Sequence, residues 1–255
     1  MSQSTEKKFC VGFPLYNGCT LLDFAGATQI FGFGAGYQTL WLAATLDPIT
    51  TTECVQVLPQ KTFVDVLAEQ DVEDPAFDKH KIFDILFVPG GGEKVAKFMR
   101  DADFVGFLRQ MASASQWVGS VCTGAFLLAA AGLLQGCHAT TYWSQRENLA
   151  LFPDITVPQG YHRWVIDEHH HRFSGGGVSS SIDLALELVQ RLSGIQRRQT
   201  AQLAVEYAPD PPLPPSGDPD KAPACITQNL LNEQQAFLRA IRQASLTVAA
   251  LGDYV

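Results

Sequence analysis

Two rhythms of hydrophobic positions alternate along this chain, and their alternation predicts its elements. Apolar stretches too short for helices occur at Lys8–Phe13, Tyr37–Leu46, Ile82–Val88 and Gln116–Val121. Helical spacing recurs at Asp23–Phe33, Glu93–Arg100, Asp103–Ser113, Phe126–Leu134, Ser144–Leu151, Ile182–Leu192, Ile195–Val205 and Ile226–Leu246. Shorter strands are predicted at Val55–Leu58, Thr62–Asp65 and His138–Tyr142, and a β-ribbon over Ile155–Phe173. Ile82–Val88 is the kind of run expected for a central parallel strand covered on both faces. The repeated order strand, glycine turn, helix predicts an α/β fold: a doubly wound, mainly parallel sheet sandwiched by helices. Residues 1–208 are expected to hold it. Residues 209–255 open with the proline-rich stretch Pro209–Pro223, read as a surface strap, and end in a helix packed on the same domain or on a dimer partner.

Composition narrows the function. At 255 residues and 46% hydrophobic content the chain can bury a large core. A net charge of −8 argues against a nucleic-acid surface, which needs clustered Lys and Arg. No apolar run approaches the ~18 residues of a membrane helix, and Met1–Lys8 lacks the apolar core of a signal peptide. The expectation is a cytoplasmic protein with neither membrane nor nucleic-acid partner. Its six cysteines are scattered without a Cys-x-x-Cys pair, which removes the usual zinc spacings and gives little support to disulfides.

The richest stretch runs Gln116-Trp117-Val118-Gly119-Ser120-Val121-Cys122-Thr123-Gly124-Ala125. It reads as a strand, a tight turn carrying a thiol, and a helix, as at the strained serine turn of hydrolases. A cysteine at a helix start is expected to have a lowered pKa and to favour thiolate; a buried structural thiol is the alternative. Asp23 opens a helix, as an N-cap or as a functional carboxylate. The run Pro89-Gly90-Gly91-Gly92 lacks nucleotide-binding spacing and serves better to aim a backbone N–H. Ligands of such sheets lie beyond the strand carboxyl ends, where Asp23, Gly91 and Cys122 would converge. In Glu168-His169-His170-His171, a strand would turn His169 and His171 to one face, but no third ligand is evident, so no metal is expected. Trp143 and Trp164 line a substrate pocket or pack in the core.

Together, Leu22-Asp23-Phe24-Ala25-Gly26, Phe87-Val88-Pro89-Gly90-Gly91, Val121-Cys122-Thr123-Gly124-Ala125, Ala139-Thr140-Thr141 and Ser174-Gly175-Gly176-Gly177-Val178 resemble the ThiJ/PfpI superfamily, with its class I glutamine amidotransferase-like, flavodoxin-like fold. Within it the chain is similar to the isonitrile hydratase branch, by its Asp after the first strand, its Thr after the cysteine and Glu206-Tyr207-Ala208-Pro209. The resemblance implies Cys122 as nucleophile, Asp23 as acid/base, and backbone donors at Gly91 and Thr123, with the Thr123 hydroxyl beside them. It also implies a small-molecule substrate, a homodimer and no cofactor. Tyr142 stands where many members carry His, which sets a Cys-His dyad in doubt and makes Tyr142 a candidate pocket residue; His138 is expected to be packed or on the surface. Glyoxalase- or deglycase-like chemistry on reactive aldehydes, and an oxidative-stress sensor or chaperone built on an exposed, low-pKa Cys122, are the alternatives.

Overall fold

The computed structural model describes residues 9–69, 82–213 and 217–251. In chain order the strands are β1 Cys10–Pro14, β2 Gln38–Ala43, β3 Ile49–Thr50, β4 Gln56–Val57, β5 Lys61–Thr62, β6 Phe83–Val88, β7 Ser115–Ser120, β8 Trp164–Asp167 and β9 Arg172–Gly175. The helices are α1 Leu21–Thr28, α2 Phe63–Glu69, α3 Val95–Phe98, α4 Ala102–Ser113, α5 Gly124–Ala130, α6 Arg146–Leu149, α7 Ser180–Ala204, α8 Ala224–Glu233 and α9 Gln235–Ala250.

Seven strands form one sheet in the order β5-β2-β1-β6-β7-β9-β8. Every pairing in it is parallel except the terminal β8–β9 hairpin. β6 is buried along its whole length and, apart from Asp84, whose carboxylate accepts from the Cys10 N–H (2.8 Å), its residues are apolar without alternation, as a strand covered on both faces requires. From β1 the chain builds outward through β2 and β5, then returns to lay β6 on the other side of β1. That reversal is the topological switch point where doubly wound sheets open a crevice. Phe13, Phe87, Phe31 and Phe173 pack ring against ring across the sheet and are sealed from solvent. Each such side chain contributes roughly 1.5–3 kcal/mol by leaving water.

Several local expectations give way. Of Thr62–Asp65 only Thr62 lies in a strand, at the end of β5: the Asp65 carboxylate accepts from the Thr62 N–H (3.0 Å) while the Thr62 hydroxyl accepts from the Asp65 N–H (3.1 Å). This reciprocal cap starts α2 and overrides the β-propensity of Thr and Val. Val55–Leu58 contributes β4, which pairs with β3 in a separate hairpin. His138–Tyr142 makes only an isolated bridge, His138 to Thr156, because its polar groups brace the cysteine turn instead. The helix after Asp23 passes at Gln29–Gly34 into a π-helical turn. Glu168–His171 is the turn between β8 and β9, so His169 and His171 have no strand face to share. The two helices expected on either side of Ser193 run on as α7, broken at Gly194, whose φ of 82° a side chain would resist. α9 buries Ile241, Ala244, Ser245 and Val248 and packs on α3, α5 and α6.

Candidate active site

The turn after β7 places Cys122 at φ 55°, a left-handed conformation that costs a non-glycine residue on the order of 1–3 kcal/mol. Its surroundings hold it there. The Cys122 N–H is shared between the carbonyls of Gly176 (2.8 Å) and Gly175 (3.1 Å), and the Cys122 carbonyl accepts from the Thr141 hydroxyl (2.8 Å). Thr140 N–H donates to the Ser174 hydroxyl at 2.8 Å, tying the same segment to β9. The strained turn, the end of β9 and the Thr140-Thr141 segment therefore form one hydrogen-bonded unit.

Asp23 reaches this unit from α1. It is fully buried, and its Oδ2 accepts from the Gly90 N–H at 2.8 Å. Its Oδ1, equally buried, has no hydrogen-bond partner among the described residues. Gly90 lies between the acid and the thiol: a Cβ there would stand 2.8 Å from the Cys122 Cβ and 2.6 Å from the Thr123 nitrogen. Only a residue without a side chain lets the loop after β6 carry an N–H to Asp23 while passing so close to Cys122. Asp23, Gly90 and Cys122 follow β1, β6 and β7 and so meet at the switch point.

The electrostatics correct one expectation. Cys122 is only 6% exposed, and burial pushes its thiol well above the ordinary range. The Asp23 charge adds to that rise, and the Thr123 N–H and hydroxyl oppose it. The dipole of a seven-residue helix does not overcome that loss of water. Cys122 is thus a buried thiol rather than an exposed thiolate, and the exposed low-pKa cysteine required by the sensor reading is absent at this position. The Asp23 carboxyl is also pushed up, chiefly by burial, with the Gly90 N–H opposing and the Glu53 charge reinforcing. Burial is thus the first cause of the rise, ahead of any neighbouring charge. Glu53 itself stays ionised, accepting from the Leu21 N–H (3.0 Å) at the start of α1.

Gly91 and Thr123 are coupled to each other. The Gly91 N–H donates to the Thr123 hydroxyl oxygen (2.9 Å), and that hydroxyl donates to the Gly91 carbonyl (2.7 Å). Gly91 thus orients Thr123 instead of presenting its own N–H to the sulfur. The Thr123 hydroxyl and N–H both act on the Cys122 thiol, the hydroxyl proton being shared with the Gly91 carbonyl, so the Thr123 N–H is the donor with no competing partner in this pairing.

Among the described residues, the candidate pocket aromatics Trp143 and Trp164 line different hollows. Tyr142 lies against Gly177 and its hydroxyl accepts from Gln234 Nε2 at 3.0 Å. Trp143 lines a groove between α6 and the C-terminal helices, and Trp164 a different hollow beside the β8–β9 hairpin. They diverge because α8 and α9 take up one face of the Trp143 segment, whereas Trp164 stands on the edge strand. His138 is a surface ring, its side chain 63% exposed.

Sequence reasoning missed Tyr16, Glu53, Gly90 and Thr141. Tyr16, buried in an aromatic cluster with Phe98 and Phe104, donates to the Pro89 carbonyl at 3.1 Å and holds the glycine loop. Burial raises its pKa, and the nearby Cys19, Asp23 and Cys122 add to the rise. Only the shared strand–glycine pattern around Gly90, and Thr140-Thr141 as a recurrent pair, signalled any of these in the sequence.

Comparison with known proteins now decides the family. The family model for the DJ-1/PfpI family matches residues 11–191. The chain belongs to the DJ-1/PfpI family. It is 36% identical over 216 residues to the isonitrile hydratase of Pseudomonas putida, covering 85% of this chain and 86% of that protein. A ThiJ/PfpI family protein from Pseudomonas syringae superposes with a TM-score of 0.80 at 29% identity, over 94% of this chain and 91% of that one. Drosophila melanogaster DJ-1beta, at 19% identity, shares the fold with a TM-score of 0.67 over 80% of this chain and 100% of its own. Among DJ-1/PfpI folds, then, this chain has the same mainly parallel sheet flanked by helices.

Proposed function

We propose that this DJ-1/PfpI member is an isonitrile hydratase, which adds water to an isonitrile and releases an N-substituted formamide. One observation carries the reading. A sealed carboxyl, one oxygen held by the Gly90 N–H and the other without a partner among the described residues, stands across Gly90 from a strained, buried thiol. The similarity to the Pseudomonas putida enzyme along most of both chains supports it.

The terminal carbon of an isonitrile becomes electrophilic when it gains a proton. Asp23, kept protonated by burial, gives its proton to that carbon and takes the proton of Cys122 as the sulfur attacks. A carbon–sulfur bond forms, the carboxyl ends as it began, and a thioimidate results. No resting thiolate is needed, which agrees with the raised Cys122 thiol. The Thr123 N–H steadies the charge that grows on sulfur as its proton leaves. Water then adds to the carbon while the nitrogen takes a proton. The new hydroxyl loses its proton through Asp23 to the departing sulfur, and the formamide leaves with Cys122 restored. The same reading includes a homodimer, supported by an exposed apolar hollow lined by Leu22, Phe33, Ile182 and Val205. Sedimentation at twice the chain mass is the expected result.

The test incubates purified protein with alkyl and aryl isonitriles, and separately with methylglyoxal, and identifies products by NMR. Formamide is expected from the wild type, with a fall on the order of 10⁴-fold in Cys122→Ala. Lactate from methylglyoxal, without formamide from any isonitrile, overturns the reading in favour of aldehyde chemistry.

A further inference from the structure

Away from Cys122, the turn of the β8–β9 hairpin gathers a thiol, a carboxylate and imidazoles, none of which the proposed hydration uses. We propose that Cys137, Asp167 and His170 bind one zinc ion, with His138 as the fourth ligand. A sulfur of Cys137, a carboxylate oxygen of Asp167 and a ring nitrogen of His170 all lie within 4.8 Å of one another. Ligands of tetrahedral zinc, bound at roughly 2.0–2.3 Å, stand about 3.3–3.8 Å apart, so closing on an ion takes about 1 Å of contraction. His138 adjoins Cys137 in the chain, and its Nδ1 is already 3.7 Å from Asp167 Oδ2. Its exposed ring needs only a side-chain rotation to enter.

The donor set suits zinc: one sulfur, imidazole nitrogens and one oxygen. Thiolate and carboxylate together neutralise a divalent charge. The Arg172 guanidinium, whose charge also reaches Cys137 and Asp167, donates through Nε and Nη1 to the carbonyls of Leu133, His170 and His171. Asp167 is already aimed by the chain. Its Oδ2 accepts from the His138 N–H (2.9 Å) and its Oδ1 from the His170 N–H (3.1 Å). Those two backbone bonds persist when an ion replaces the hydrogen bond between His170 Nδ1 and Asp167 Oδ1 (2.9 Å), and so act as the outer support that orients a ligand. The hollow lined by Gly136, His138, His162, Asp167, His169 and His170 supplies an entry path.

The ion would brace the turn from which β9 runs three residues, on the order of 10 Å, from Arg172 to Gly175. Gly175 holds the Cys122 N–H, so the zinc centre is a clamp at the far end of the strand that carries the cysteine turn. The site is assigned from its own residues and does not depend on the hydratase reading.

Cobalt(II) titration tests it, followed by the intense thiolate-to-cobalt charge-transfer absorption, with zinc competition to confirm the metal. One equivalent is expected to bind the wild-type chain and, equally, Cys122→Ala. Cys137→Ser should lose the charge-transfer band, and His170→Gln should weaken binding at least tenfold. Circular dichroism checks that each variant is folded; if Cys137→Ser does not fold, His170→Gln, on a surface turn, decides alone. Failure to bind one equivalent, a band that survives Cys137→Ser or vanishes in Cys122→Ala, or unchanged affinity in His170→Gln overturns the proposal.

Discussion

Two cysteine–aspartate pairs stand at the two ends of β9, and their aspartates titrate in opposite directions. At the cysteine turn, Asp23 is sealed, receives one backbone N–H and has the Glu53 charge nearby; burial pushes its carboxyl up. At the hairpin, burial also acts to raise Asp167. There the His138 N–H, the His170 ring, the His170 N–H and the His170 charge outweigh it and hold the carboxyl down at about 2. Both thiols are raised by burial, Cys137 to about 11. Asp23 lies deeper than Asp167 and also has fewer donors, and depth and donors together set what each carboxyl does. With one donor and a charged carboxylate nearby it stores a proton for chemistry; with several it is a fixed anion, suited to bracing a turn or binding a cation.

The sharpest way to break this contrast is Asp23→Asn. The amide keeps the shape and can still accept from the Gly90 N–H, but it cannot pass a proton. Formamide formation is expected to fall about 10²–10⁴-fold, with the fold retained, in a product assay run beside circular dichroism. An Asn variant with unimpaired turnover would remove Asp23 from the chemistry.

Gly90→Ala tests whether the acid and the thiol need their close separation. A methyl group there meets the Cys122 Cβ and the Thr123 nitrogen, so the loop after β6 must move away. Displacement of about 1 Å is expected to lower turnover on the order of 10²-fold. Overpacking should also cost roughly 1–3 kcal/mol of stability by urea denaturation. Turnover equal to wild type would show that the spacing across Gly90 does not matter.

The contrast also marks what the sequence reveals. The doubly wound sheet was legible because its signals are local: the apolar run Phe83–Val88, the glycines after β6 and the small residues around Cys122. The meeting of Asp23 with Cys122 was legible only through topology, as two residues that each follow a parallel strand. The protonation of the thiol was not legible. The helix start was visible in the sequence, whereas the desolvation that outweighs it comes from the packed sheet and cannot be read from neighbouring residues. The same limit hid the cluster at Asp167. In Glu168-His169-His170-His171 strand alternation singles out His169 and His171, but the turn gives His170 to the carboxylate and sets the His171 ring, tilted, against Trp117. Capping reversed another reading, since Thr62 and Asp65 bond each other and start a helix where the residue types favour a strand.

The smallest effects belong to stability, and they sharpen the comparison by sign. Asp167 has a folded pKa below its unfolded value, so it stabilises the protein above about pH 4, and that contribution fades as pH falls toward about 2. Asp167→Asn should therefore be less stable than wild type at neutral pH, with the difference closing on acidification. Asp23 has a folded pKa above its unfolded value. Its contribution is complete below about pH 4 and is lost as pH rises through the folded pKa. Asp23→Asn should thus gain on wild type as pH rises and show no such gain in acid. Urea denaturation of the three proteins across pH 3–8 measures both trends. Curves that move in the same direction would mean that the two aspartates are held alike, and that the division between a proton-storing acid and a fixed anion is mistaken.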